Sequence, residues 1–160
     1  MYHINKLNEH QWKTLKKIRL EALENSPDSF GSTYETESLY NQNDWVNKIK
    51  RDNHITLVAS IDNGCPIGLI VGGPYDNKAG IYSMWVNSEH RGKGIASNLI
   101  NTVIKWAVEN QFSGIFLDVA DNNQSAIMLY KRKGFIPTGL KGALPPPRDS
   151  ITEIQMILNL

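Results

Sequence analysis

A single cysteine among 160 residues, Cys65, leaves no partner for an internal disulfide. His3, His10, His54 and His90 show no metal-ligand spacing among themselves or with it, so no metal is expected. Cys65 lies between Asn63-Gly64 and Pro66, the surroundings of a turn thiol rather than of an activated nucleophile. An excess of charge is also missing: 17 Lys and Arg face 16 Asp and Glu, a net charge of +1. No global field calls for nucleic acid or an anionic membrane. The longest apolar run, around Ile67–Gly73, falls far short of the roughly 20 residues needed to cross a bilayer. The N-terminal MYHINKLNEHQW has no signal-peptide core, and a cytoplasmic protein is the expectation.

What is present is globular in character, 41% hydrophobic and 21% charged. A chain of this length suits one domain spanning 1–160. Residues 2–7 read as a short strand. From Glu9 to Asn25, Trp12, Leu15, Ile18 and Ala22 recur at helical spacing until Ser26-Pro27. A looser stretch, SFGSTYETESLY, leads to a second helix near Asn43–Arg51. The period then changes to two at Ile55, Leu57, Ala59 and Ile61, ending at the hairpin signal Asp62-Asn63-Gly64. Strands over 66–73 and Ile81–Val86, joined at Asp76-Asn77-Lys78, complete an antiparallel meander.

Ala96, Leu99, Ile100, Val103, Ile104 and Ala107 mark an amphipathic helix. Ile115–Val119 is a strand, Asn123–Lys133 a helix, and Gly134-Phe135 begins an extended segment. Pro145, Pro146 and Pro147 exclude helix and central strand. Ile154, Met156 and Leu158 form a closing strand. The order βααβββαβαββ predicts an α/β (α+β) fold with a mostly antiparallel sheet.

Between the meander and the long helix stands NSEHRGKGIAS, residues 87–97. Bare backbone N–H groups at a helix start, on glycines and beside Arg91 and Lys93, suit an anion such as a diphosphate. A structurally capped loop is the alternative from these residues alone. A Walker loop needs Ser or Thr after Gly-Lys, whereas Gly94 follows Lys93. The dinucleotide fingerprint wants a third glycine or alanine where Ser97 stands, which disfavours a nucleotide-dependent oxidoreductase.

Arg91-Gly92-Lys93-Gly94-Ile95-Ala96, following Met84-Trp85-Val86, resembles the pyrophosphate loop of the GNAT superfamily of acyl-CoA-dependent N-acetyltransferases. A second resemblance lies downstream, in Asn123-x-x-Ala126-x-x-x-Tyr130-x-x-x-Gly134-Phe135. The resemblance implies a GNAT-like sheet that splits between the fourth and fifth strands, with acetyl-CoA as co-substrate in the opening. It implies that amides of Gly92, Gly94, Ile95, Ala96 and Ser97 hold the diphosphate, with Arg91 and Lys93 adding charge. It further implies that the main chain of Trp85 and Val86 pairs with the pantetheine arm, while Asn123 hydrogen-bonds it and Ala126 leaves it room. A main-chain N–H at Val86 or a neighbour would receive the carbonyl oxygen.

Amide formation from a thioester needs a neutral amine and a proton for the thiolate, with amine and thiol titrating near about 10.4 and about 8.5. By the same resemblance Tyr130 is the general acid; by periodicity alone it also fits core packing. The fourth strand carries no carboxylate, unlike several family members. Glu35 and Glu37 are the candidate bases, with Phe30 and Tyr34 bordering the acceptor, and Asp118 is a weaker candidate. Ser32-x-x-Glu35 also reads as a capping box and Glu37 as a solvated charge. Lys131-Arg132-Lys133 suits the C-terminal end of a helix dipole. Pro145–Pro147 and Arg148 read as a rim of the acceptor pocket or a dimer contact, and the resemblance is compatible with a homodimer. The expected activity is direct acetyl transfer from acetyl-CoA to a primary amine of a small molecule or peptide in a ternary complex. The alternative is a non-catalytic acyl-CoA-binding or regulatory module.

Overall fold

The computed structural model describes residues 1–160. Strands β1 (Tyr2–Lys6), β2 (Ile55–Ile61), β3 (Pro66–Tyr75), β4 (Lys78–Val86), β5 (Gly114–Ala120), β6 (Ile136–Ala143) and β7 (Thr152–Asn159) form one sheet. Its spatial order is β1-β2-β3-β4-β5-β7-β6. All neighbours are antiparallel except β4 and β5, which run parallel. Helix α4 (Ile95–Glu109) supplies the crossover between those two strands, because a parallel connection needs a helix-length detour.

One face of the sheet packs on α4 and α5 (Gln124–Arg132), burying Leu57, Ile70, Ile81 and Ile115 against Leu99, Ile100 and Val103. The other face takes α1 (Trp12–Asn25) and α3 (Gln42–Lys50), where Val58, Leu69 and Trp85 meet Leu15, Ile18 and Trp45. The spacing of Ile95, Leu99, Ile100, Val103 and Ala107 turns one stripe of α4 inward. Each fully buried leucine or isoleucine contributes about 1.5–3 kcal/mol. A single-turn 3-10 helix at Glu9–Gln11 leads into α1 and is held by a capping box from Asn8. Ser26 caps the helix end after Asn25, and Pro27 follows it.

The order differs from expectation by one element. A four-residue helix, α2 (Tyr34–Glu37), intervenes between α1 and α3. Thr33, not Ser32, is its cap, accepting from the Thr36 N–H at 3.2 Å. So short a turn rests on capping rather than on an apolar period, and a periodicity reading passes over it. Strands β3 and β4 also extend further, to Tyr75 and from Lys78. Only Asp76 and Asn77 separate them, with Asp76 at a left-handed φ of 52°.

Strand β4 carries a bulge. Leu69 pairs with Trp85 and Val71 with Tyr82, so Ser83 and Met84 oppose Ile70 alone. Ser83 takes a φ of 58°, and the bulge re-aims the strand at its middle.

Candidate active site

Strands β4 and β5 pair only at Ala79 with Ile115 and Gly80 with Phe116. Beyond these they part, and the sheet opens on the C-terminal half of β4. The Asn87 N–H donates to Ile67 O of β3 at 2.8 Å. Alternation along an antiparallel ladder then turns the Trp85 main chain to β3 and the Val86 main chain into the opening. This corrects the expectation for Trp85, whose backbone is taken up by Leu69 and whose indole Nε1 donates to Ser26 Oγ at 3.0 Å.

The glycine loop and the start of α4 flank this opening. Gly92 and Gly94 adopt φ of 77° and 81°, conformations that L residues occupy at a cost. A Cβ at either would meet nothing within 4 Å, so backbone shape rather than crowding requires glycine. Gly94 caps α4 without any side-chain bond. None of the N–H groups from Gly92 through Ser97 has a partner in the chain. Six consecutive free donors at a helix start fit an anionic diphosphate. Lys93 is exposed and unpaired, whereas Arg91 donates from Nε to Val86 O at 2.9 Å. Arg91 therefore braces the end of β4, with its terminal nitrogens left over for an anion.

A cavity of about 280 Å³ lies where the strands diverge. Ile81 and Met84 of β4, Leu117 and Val119 of β5, and Ala126 and Tyr130 of α5 line it. Tyr130 is 5% exposed, its ring set edge-on to Phe135 at 5.7 Å. Its hydroxyl has no hydrogen-bond partner in the protein, and burial pushes the phenol well above its ordinary range. Asn123 caps α5 by accepting from the Ala126 N–H at 3.3 Å and also lines the cavity.

Of the expected acceptor-side residues, Phe30 lines this cavity; Tyr34, Glu35 and Glu37 do not. Tyr34 and Glu35 are exposed on α2. Glu37 is no solvated charge: it is 1% exposed and accepts from Arg19 Nε at 3.0 Å and Nη2 at 2.9 Å. Burial alone would raise its pKa, but the hydrogen bonds and charge of Arg19, helped by Ser32 and Lys48, hold it below the usual carboxylate value. A carboxylate so engaged is a poor proton acceptor.

The carboxylates that do reach the cavity are Asp118 and Glu153. Asp118 accepts from the Tyr75 hydroxyl at 2.9 Å, which accepts in turn from Gln155 Nε2 at 3.0 Å. Burial raises the Glu153 pKa, Asp118 raises it further, and Arg148 opposes both. Strand parity held the signal for Glu153: Ile154 and Met156 pack with the α4 face, so Glu153 points to the other, opposite Ala120 of β5.

Arg148 reaches the cavity's edge through Phe30 and Gly31, which line it. Its guanidinium donates to the carbonyls of Pro27 and Phe30 (2.9 Å for the latter) and, through Nη2, to those of Gly31 at 3.2 Å and Ser32 at 3.5 Å. The proline-rich segment is thus fastened to the α1–α2 connection. Lys133, at the end of α5, bonds Asn101 Oδ1 at 2.9 Å. No helix is long and apolar enough to cross a membrane.

Residues 13–135 match the profile of the Acetyltransferase (GNAT) family. Over 66 residues the chain is 39% identical to streptothricin acetyltransferase of Escherichia coli, covering 41% of this chain and 38% of that protein. The chain spans between 26% and 38% of the length of the curated relatives it matches. A GNAT acetyltransferase from Streptococcus pneumoniae superposes with a TM-score of 0.82 at 18% identity, covering 100% of both chains. An acetyltransferase from Salmonella typhimurium, solved with its cofactor acetyl-CoA, does so with a TM-score of 0.82 at 16% identity, covering 100% of this chain and 94% of that one. At these identities the likeness to both is one of fold. With the parted strands, the free amides and the profile match over most of its length, this chain belongs to the GNAT family of acetyltransferases.

Proposed function

We propose that the chain transfers the acetyl group of acetyl-CoA to a primary amine by direct attack in a ternary complex. The observation that carries this reading is the run of unpaired N–H groups from Gly92 to Ser97, beside an opening lined by Tyr130. The diphosphate sits on those amides, Lys93 and the free end of Arg91 add charge, and the pantetheine arm runs along Val86 toward Asn123 and Ala126. The amine forms its C–N bond to the acetyl carbon as the C–S bond breaks. Its proton passes to Glu153, and Tyr130 donates one to the departing thiolate before recovering it from solvent. No cysteine lines the cavity, which favours direct transfer over an acyl-enzyme.

Calorimetry with acetyl-CoA, followed by thiol release across a panel of amines, tests the proposal. Saturable binding and amine-dependent release are expected; binding without release from any amine would reduce the chain to an acyl-CoA-binding module. Gly94→Ala forces alanine into the left-handed region at about 1–2 kcal/mol. Its acetyl-CoA Kd is expected to rise about tenfold as the loop abandons that conformation.

Glu153→Gln is expected to lower kcat/KM about tenfold, less than for an isolated base because Asp118 remains nearby. The raised pKa sets the sign of the pH effect. Wild-type activity falls as Glu153 takes up a proton, at a pH above the ordinary carboxylate value, and this acid limb disappears in the glutamine variant.

A further inference from the structure

A second cavity, of about 390 Å³, opens beneath α1 and α3 on the far side of the β4 bulge. Arg19, Lys48, Arg51 and His54 line it, and no carboxylate does. Glu37 answers Arg19, but neither Lys48 nor Arg51 has an acidic group within ion-pair distance. The enclosure is built rather than incidental. Lys48 is half-buried with its ammonium 5.4 Å from the Tyr40 ring centroid. The His54 ring lies against Gly73, where a Cβ would come within 2.6 Å of Nε2, and its Nδ1 donates to Asp52 O at 2.8 Å. Arg51 is exposed, but burial and the charges of Arg19 and Arg51 bear on Lys48 more than Glu37 and Asp44 offset, so the arrangement favours a further bound counter-charge.

Arg19, Tyr82 and Ser83 line this cavity and the Tyr130 cavity alike. Arg19 Nη1 donates to Ser83 Oγ at 3.1 Å, so the two cavities adjoin along one bulged stretch of β4. On one side stand Asp118 and Glu153, suited to an ammonium; on the other, Lys48 and Arg51, suited to an oxyanion. We infer that the acceptor carries both charges: it is an amine bearing a carboxylate or phosphate, with the anion held by Lys48 and Arg51 while the nitrogen faces the thioester. The inference deepens the acetyltransferase reading and rests on it for the identity of the nitrogen.

The test compares glycine, β-alanine and 4-aminobutanoate with their carboxamides, 2-aminoethylphosphonate with ethanolamine, and spermidine as a polycation, all by thiol release. Each acid is expected to exceed its neutral counterpart in kcat/KM by about 30-fold or more, as for a charge that loses its buried partner. The carboxylate and phosphonate arms distinguish the two anions. Lys48→Gln collapses the preference and Lys48→Arg retains it, which separates charge recognition from a folding defect. Equal or better turnover of carboxamides or spermidine overturns the inference while leaving the acetyltransferase reading intact.

A readout without turnover is binding of inorganic phosphate in the wild type and in Lys48→Gln. A component weakened at least tenfold by the substitution, in a protein that acetylates no amine, would keep the anion site and sink the acetyltransferase reading. No Lys48-dependent binding together with no acid preference would remove the site.

Discussion

Tyr130→Phe is expected to lower kcat by about 10²–10⁴-fold, the usual contribution of a general acid, while acetyl-CoA binds within about threefold of wild-type affinity. The ring, which packs on Phe135, is kept; only the oxygen is lost. That oxygen has no partner in the protein, so its removal strands no buried donor or acceptor. The melting temperature should hold or rise slightly. A fall in kcat with an intact Tm identifies proton donation, whereas a fall in both identifies packing. Burial holds the folded-state pKa above the unfolded value of about 10. The phenol stays protonated throughout the neutral range, and the alkaline limb of the rate profile does not belong to it. Its linked stability is complete below about pH 10 and is lost as pH rises through the folded pKa. The phenylalanine variant lacks that alkaline loss. An unchanged kcat would dismiss Tyr130 as the acid.

Glu37→Ala is expected to destabilise the fold by about 3–5 kcal/mol, read by urea denaturation, because it leaves the Arg19 guanidinium buried without its partner. The Arg19 side chain is 12% exposed and that of Glu37 1%, so water cannot readily replace the lost carboxylate. Arg19→Met combined with Glu37→Met should recover most of the loss, since the cost lies in the unmatched charge rather than in the missing pair. The folded pKa of Glu37 lies below its unfolded value. The stabilisation is therefore present above the unfolded value of about 4.3 and disappears as pH falls through the folded one. An alanine variant within 1 kcal/mol of wild type at pH 7 would show the pair to be solvated. Arg19 also bonds Ser83, so the variant should disturb the acceptor side before the coenzyme side.

The coenzyme side was the more legible part of the chain. Its determinants are local: a glycine pair that needs left-handed φ, a helix whose apolar stripe repeats from Ile95 to Ala107, and a second helix carrying Asn123, Ala126 and Tyr130 on neighbouring turns. Backbone conformation and helical period write such features directly into a short stretch. The proposed acceptor side is assembled from distant segments. Arg19, Lys48, Arg51 and His54 converge only when α1 and α3 pack on the sheet, and no periodicity announces that. Glu35 and Glu37 illustrate the difficulty. Two residues apart on a single turn of helix, one is exposed and the other buried against an arginine eighteen residues earlier. The bulge at Ser83 breaks the alternation on which a strand reading relies, and Glu153 needed the pairing partner of its strand to place it.

Arg148 couples the two ends of the chain. The carbonyls it grips lie between Pro27 and Ser32, up to 121 residues away, and Phe30 and Gly31 among them line the Tyr130 cavity. Displacing the Phe30–Gly31 edge demands that several charge-assisted bonds let go together. The shape of this edge of the cavity is thereby tied through a single guanidinium to the C-terminal segment, so a change near Pro145–Pro147 would be felt at Phe30 without touching it.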